Sequence, residues 1–197
     1  MTDIIDQYNQ MLERHEDFER VGWGSIESQN KRFKILTEIG DLDNCSILDI
    51  GCGLGALYEY FCSNKFNIAY TGVDINERMI QGALNRNPDV EFIQTNLVSD
   101  SNNFKNRKFD YSFVSGAFNL SEEKHSNHLE QILKTIYGMS NKGVAVNFLS
   151  TYADYFSPGE KYHNPIVILE LALSISRQVV LRQDYMSHDF TIYIYKQ

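Results

Sequence analysis

Ser46-Ile47-Leu48-Asp49-Ile50-Gly51-Cys52-Gly53-Leu54-Gly55 is the stretch on which the reading of this 197-residue chain turns. Ile47, Leu48 and Ile50 give its first half the apolar content of a buried strand. Three glycines at alternate positions follow, and then a helix-forming run, Ala56-Leu57-Tyr58-Glu59-Tyr60-Phe61. A strand that passes through a glycine-rich turn into a helix brings bare backbone close to a ligand. The free N–H groups at the helix start point at that ligand. Gly51 to Ala56 also fit G-x-G-x-x-A, a dinucleotide fingerprint. Asp49 weighs against it. A carboxylate inside a strand, among apolar neighbours, is costly without a partner. A pyrophosphate repels it, whereas a cationic ligand suits it.

Leu48 to Gly55 resembles the first motif of the class I S-adenosylmethionine-dependent methyltransferases. In element order the resemblance covers the chain from about Ser25 onward. It implies that Asp49 faces the methionine end of the cofactor, which carries an ammonium group. It also implies that Gly51, Cys52 and Gly53 run along its amino-acid part and ribose, with S-adenosylhomocysteine as the product. Cys52 reads as a small filler in this turn rather than a nucleophile.

The second strand, Asn67 to Ile75, ends in Asp74, 23 residues after Gly51. That spacing belongs to a βαβ unit whose acid meets two ribose hydroxyls. Asp74 therefore points to a nucleoside without saying which one, and Ile75 is placed to flank its base. A helix over 77–87 stops at Pro88, and the strand Val90 to Thr95 runs out into Asn96-Leu97. The resemblance puts an adenine-binding residue at Asn96, where the family often has an acid, with Leu97 beside it. The fourth strand, Phe109 to Ser115, continues as Gly116-Ala117-Phe118-Asn119. Open α/β sheets bind ligands beyond the carboxyl ends of their strands. The resemblance places Ser115 and Gly116 beside the methionine part and Phe118 and Asn119 toward the substrate or adenine. Asn119 is not part of the Asn/Asp-Pro-Pro-Tyr/Phe tetrad of enzymes acting on base amines and glutamine amides, which argues against those substrates.

Methyl transfer from a sulfonium requires alignment above all. A base is needed only for a hydroxyl or a protonated amine. His188, His163 and Tyr155 are the catalytic candidates, since histidine titrates near neutral pH and all three fall near the expected mouth. The segment 150–164 is aromatic and irregular, and lies where a substrate should enter. No metal is expected. His125 and His128 read as solvated residues of the helix over 122–140, which Ser121 caps, and no carboxylate or cysteine completes a ligand set.

Residues 2–20 read as a charged helix with a thin stripe of Ile4, Ile5, Tyr8 and Leu12. Trp23 sits at the break before a second helix that Ser25 caps, with Ile26, Phe33, Leu36 and Ile39 on one face. Trp23 is read as lining the cofactor site; Tyr8, Gln29 and Arg32 are weaker candidates for the same pocket, and a solvated face is the preferred reading for each. Residues 1–40 are expected to form a helical lid, and 41–197 the core. The fold class is α/β: a Rossmann-like doubly wound sheet of seven strands in the order 3-2-1-4-5-7-6, the last antiparallel. Its closing hairpin is 177–185 with 189–196, in which Phe190, Ile192 and Ile194 alternate with Thr191, Tyr193 and Tyr195. The greasy run 165–175 reads as a core helix, too short to span a bilayer.

The net charge of −8 argues against a nucleic-acid partner, because affinity there comes from neutralised phosphates. No leader-like or membrane-spanning segment is read, and three cysteines without zinc spacing suit a reducing, cytoplasmic setting. The expected function is transfer of a methyl group from S-adenosylmethionine to an oxygen or nitrogen of a small molecule. An NAD-dependent enzyme on the same turn and a non-catalytic S-adenosylmethionine-binding module are the alternatives. Oligomeric state is not legible.

Overall fold

The computed structural model describes residues 2–13, 24–97, 99, 104, 106–119 and 126–197. The helices are α1 (Thr2–Met11), α2 (Ile26–Thr37), α3 (Ala56–Ser63), α4 (Glu77–Arg86), α5 (Ser126–Met139) and α6 (Pro165–Ile175). The strands are β1 (Cys45–Ile50), β2 (Ile68–Asp74), β3 (Glu91–Gln94), β4 (Phe109–Val114), β5 (Ser140–Ser150), β6 (Tyr162–His163), β7 (Val179–Arg182) and β8 (Asp189–Tyr195).

They form one sheet in the order β3-β2-β1-β4-β5-β8-β7. The strands β3, β2, β1, β4 and β5 run parallel. β8 runs antiparallel to both β5 and β7. This is the expected order with one correction. The sheet has eight strands rather than seven, because Tyr162 and His163 pair with Leu149 and Ser150 and so form β6 off the main path. Two residues among aromatics and turn formers carry no strand periodicity, which is why this pairing cannot be read ahead.

Alternation along the parallel strands divides the core in two. Ile47 and Phe113 face Phe33 and Leu36 of α2, Leu57 and Phe61 of α3, and Ile80 and Ala83 of α4. Leu48, Val114 and Val146 face Leu133 and Ile136 of α5 and Ile168 and Ala172 of α6. β8 is covered on both sides, with Phe190, Ile192 and Ile194 in the second layer and Tyr193 in the first. Ser25 caps α2 by accepting from the Ser28 N–H at 3.1 Å.

Two expectations about helix faces change. On α2, Gln29 and Arg32 are buried together with Phe33 and Leu36, while Ile26 is exposed. The inward stripe is therefore 29-32-33-36, and its two polar members meet polar partners rather than solvent. α6 buries only Pro165, Ile168 and Ala172, leaving Ile166, Val167 and Leu173 exposed. No helix among the described residues is long and apolar enough to cross a membrane.

Candidate active site

The glycine turn leaves β1 in a left-handed path, with φ of 72° at Gly51 and 54° at Gly53. The Gly51 and Cys52 N–H groups both donate to the Val73 carbonyl, at 2.8 and 3.1 Å, so the turn is fastened to the end of β2. A Cβ on Gly51 would stand 2.7 Å from the Ala117 Cβ, because the segment after β4 closes over the turn. Gly51→Ala is expected to combine left-handed strain with this clash. The cost is ~2 kcal/mol, a melting temperature lower by roughly 5 °C in circular dichroism. An unchanged melting temperature would show that the 115–119 segment moves freely off the turn.

Asp74, half-buried at the end of β2, has both oxygens held by backbone. Oδ2 accepts from the Gly53 N–H at 3.0 Å and Oδ1 from the Asn76 N–H at 2.8 Å. Burial pushes its carboxyl up and these N–H groups pull it back down. Asn76 then caps α4, its Oδ1 accepting from the Arg78 N–H. Its Nδ2 donates to Asn9 Oδ1 on α1 at 3.1 Å, and Arg78 pairs with Glu13 at 2.9 Å. Tyr8 of α1 is half-buried, its hydroxyl pushed up by burial and by the charge of Asp74. α1 thus rests on the loop that carries Asp74.

Asp49 is 2 % exposed and accepts from the Tyr70 hydroxyl at 2.6 Å. Burial pushes its carboxyl up to about 7, against the Tyr70 hydrogen bond and helped by the charge of Asp74. Cys52 is buried, with its Sγ 3.0 Å from where a Cβ on Gly72 would stand. Burial keeps its thiol well above the ordinary range, so it fills space as a protonated thiol.

Ile75 is half-buried and its carbonyl accepts from Gln94 Nε2 at 3.5 Å. Asn96 is half-buried, its Oδ1 accepting from the Ser99 N–H at 3.3 Å, and Leu97 is buried. Beyond β4, the Gly116 N–H donates to Asn147 Oδ1 at 3.0 Å and Asn147 Nδ2 donates to Ser115 Oγ at 3.4 Å. Phe118 stacks on Phe148 with centroids 5.7 Å apart. Trp23 lies outside the described residues, as do Ser121 and His125 and the side chain of His128. Among the described residues no group of three or more His, Cys, Asp or Glu is placed to hold a metal ion.

The catalytic candidates separate. Tyr155 and His188 come together, ring centroids 5.8 Å apart, with Tyr155 exposed and His188 partly so. His163 is 8 % exposed, packs on Phe148 at 4.9 Å, and has Nε2 3.1 Å from the Phe118 carbonyl. Burial lowers it below the ordinary histidine range, so it is neutral near pH 7 and Nε2 carries the proton it gives that carbonyl.

Sequence reasoning missed Asn147, Tyr70, Thr95 and the Arg32–Asp189 pair. Asn147 reads as one polar residue in an apolar strand, and that isolation is the signal that could have found it. Among the described residues, Thr95 Oγ1 and Asn119 Oδ1 are buried without a hydrogen-bond partner, just beyond β3 and β4. Arg32 Nε lies 2.6 Å from Asp189 Oδ2, the side chains 5 % and 1 % exposed, and His188 Nε2 is 3.9 Å from the same oxygen.

Comparison with known proteins agrees with this geometry. A family described as a methyltransferase domain matches residues 47–143. The Mycobacterium tuberculosis protein Rv1506c, named as a methyltransferase, is 30% identical over 164 residues, 78% of this chain and 95% of the relative. Among solved structures, the plantazolicin methyltransferase BamL in complex with a triazolic desmethylPZN analog and S-adenosylhomocysteine is similar at TM-score 0.71 and 15% identity. It covers 99% of this chain and 98% of its own. Magnesium protoporphyrin IX methyltransferase (ChlM) from Synechocystis PCC 6803 with bound S-adenosylmethionine is similar at TM-score 0.66 and 13% identity, covering 98% and 90%. At those identities the structures show a shared fold, and the mycobacterial relative carries the family. This chain belongs to the class I S-adenosylmethionine-dependent methyltransferases.

Proposed function

We propose that the chain transfers a methyl group from S-adenosylmethionine to an oxygen or nitrogen of a small molecule. The observation that carries the cofactor half is the Asp74 carboxylate, fixed at both oxygens by backbone N–H groups beside the glycine turn. A carboxylate held so, at the end of β2, fits the two hydroxyls of a ribose. The rest of the donor set fits the same cofactor. Asp49 supplies negative charge beneath the turn for an ammonium, and Gly51, Cys52 and Gly53 let backbone approach. Ile75 and Leu97 flank the adenine. Asn96 and the partnerless Thr95 Oγ1 stand at the same strand end, where an exocyclic amine needs acceptors. Ser115 and Gly116, tied to Asn147, lie on the methionine side, with Phe118 beyond them. Residues 1–40 act as the lid over a core of 41–197. The seat of α1 on Asn76 and Arg78 supports this.

When bound, S-adenosylmethionine supplies a methyl group on a sulfonium, open to in-line displacement by an oxygen or nitrogen. The chain's own part is to orient the acceptor and, where that acceptor is a hydroxyl or a protonated amine, to take its proton. His188 is assigned that proton and Tyr155 holds the acceptor beside it. His163 fixes the Phe118 carbonyl from behind. The net charge of −8 speaks for a small acceptor over nucleic acid. Two structural neighbours are methyltransferases named for such molecules, plantazolicin and magnesium protoporphyrin IX. Free thiols at Cys45, Cys52 and Cys62 fit a cytoplasmic setting.

Isothermal titration tests the cofactor half. Native protein is expected to bind S-adenosylmethionine, and Asp74→Ala to bind it about tenfold more weakly, ~1.4 kcal/mol. A folded Asp74→Ala variant of native affinity would overturn the ribose assignment. A folded native protein that does not bind would overturn the whole reading.

A further inference from the structure

The loop between β5 and β6 is cross-braced by hydrogen bonds while three of its aromatic side chains stay exposed. The Tyr152 N–H and Gln183 Nε2 both donate to Ser150 Oγ, at 3.1 and 3.0 Å. The Tyr162 hydroxyl accepts from the Ser157 N–H at 2.9 Å and donates to Glu160 at 2.7 Å. The loop is also fastened at both flanks of the transfer site. The Lys161 N–H donates to the Asn119 carbonyl at 2.8 Å, beyond β4, and the Ser150 N–H donates to the His188 carbonyl at 2.9 Å. Beneath it runs a column of rings, Phe118 on Phe148 on Phe190. Yet Tyr152, Tyr155 and Phe156 remain 62, 61 and 59 % exposed. Large apolar faces left open on an ordered support, next to a site that must hold a second substrate, mark that substrate's seat.

Resting on the methyltransferase reading above, we infer that this platform takes an acceptor with a planar aromatic ring. The ring lies against Tyr155 and Phe156, its hydroxyl or amine toward His188. Ring on ring adds ~0.5–1.5 kcal/mol per pair beyond area burial. A membrane surface is the poorer occupant, because Asp154 and Glu160 stand in the same loop and the chain carries a net charge of −8, which an anionic leaflet repels. An extended peptide is also poorer, since β5 is already flanked by β4, β8 and β6 and offers no open strand edge.

The test is saturation-transfer NMR on the full chain with S-adenosylhomocysteine present. The probes are 2-naphthol and methyl glucoside, and the proteins are native and Tyr155→Ala/Phe156→Ala. Both positions are exposed, so the double variant is expected to keep its fold and its S-adenosylhomocysteine affinity within twofold. The expected result is saturation of the naphthol ring protons in the native protein, at least fivefold stronger than of the glucoside and lost in the variant. Equal saturation of both probes, a naphthol signal that survives in the variant, or ring-dependent sedimentation with phosphatidylcholine vesicles without any naphthol signal would each overturn the inference. The two readings fail separately. Native protein that does not bind S-adenosylhomocysteine overturns methyl transfer, while ring-dependent naphthol saturation still upholds the platform. Retained S-adenosylhomocysteine binding with ring-independent saturation overturns the platform alone.

Discussion

Arg32→Met is expected to lower the stability of the fold by about 3–5 kcal/mol, because it strips the cation from a buried pair and leaves a carboxylate behind. Arg32 Nε and Asp189 Oδ2 stand 2.6 Å apart with almost no solvent at either side chain. The other charged or titratable groups facing Asp189 are His188 at 3.9 Å, the Tyr185 hydroxyl, and Glu160, whose charge opposes ionisation. None replaces a guanidinium. The pH dependence gives the loss a signature. Burial already raises the Asp189 carboxyl, and Arg32 pulls it down. Without Arg32 its folded-state pKa rises further above the unfolded one. A group raised in that way supports the fold below its unfolded pKa and loses that support as pH climbs through its folded pKa. The deficit of Arg32→Met should therefore be full at pH 8 and shrink as pH falls toward 4. Arg32→Met/Asp189→Leu should recover most of it, since a buried pair contributes little net stability over well-packed apolar residues. Urea unfolding across pH measures all three. A single-variant loss below about 1 kcal/mol would mean that water reaches the pair.

That pair also marks where the sequence stops being readable. On α2 a helical stripe is recognised by apolar residues, so Phe33, Leu36 and Ile39 are found. Gln29 and Arg32, on the same face, are assigned to solvent. Burial of a charge is decided by its partner, and Asp189 lies 157 residues away at the start of a strand. No local pattern joins them. The glycine turn and the acid at the end of β2 read far better because their pattern is local. Asp49 and the glycines sit within seven residues, and Asp74 follows at the spacing of one βαβ unit. The closing strand is legible from the period-two alternation of Phe190, Ile192 and Ile194. β6 is not, because it consists of two residues whose pairing depends on how the preceding loop folds back. His163 and His188 look alike in sequence. One is a buried strut under Phe118 and the other stands at the rim, a difference set by that same fold-back.

The aromatic segment after β5 is thus held by long-range contacts, and the glycine turn with Asp74 by short ones. In this chain the N-terminal region reaches both halves. α1 touches the Asp74 loop through Asn9, and α2 reaches the start of β8 through Arg32. The buried pair is therefore a structural anchor of the wall beside His188, and its loss should be felt in stability before it is felt in cofactor affinity.

Affinity for S-adenosylmethionine is expected to fall about tenfold for each unit that pH drops below 7, and to level off above it. The cause is Asp49. Burial, with the charge of Asp74, holds its carboxyl up at about 7, some three units above an unperturbed aspartate near 3.9. At pH 6 the free protein therefore carries most of its Asp49 protonated. An ammonium at the methionine end stabilises only the carboxylate, so binding below pH 7 must expel the proton, and its free energy comes out of the observed affinity. Two units of pH correspond to roughly a hundredfold, or ~2.7 kcal/mol. The folded chain without ligand shows the opposite trend. A carboxyl raised in the folded state supports the fold below its unfolded pKa, and that support is lost as pH rises from about 4 to 7. The ligand thus binds best where this residue costs the empty fold most. Titration at pH 6 in buffers of different ionisation enthalpy should find close to one proton released per S-adenosylmethionine bound. Asp49→Asn should flatten the pH profile, abolish the proton release and bind weakly throughout. Tyr70→Phe removes the hydroxyl that favours the carboxylate, so it should move the break in the profile above 7. A native profile flat from pH 5.5 to 7.5, with no proton released, would show that Asp49 does not face the ammonium.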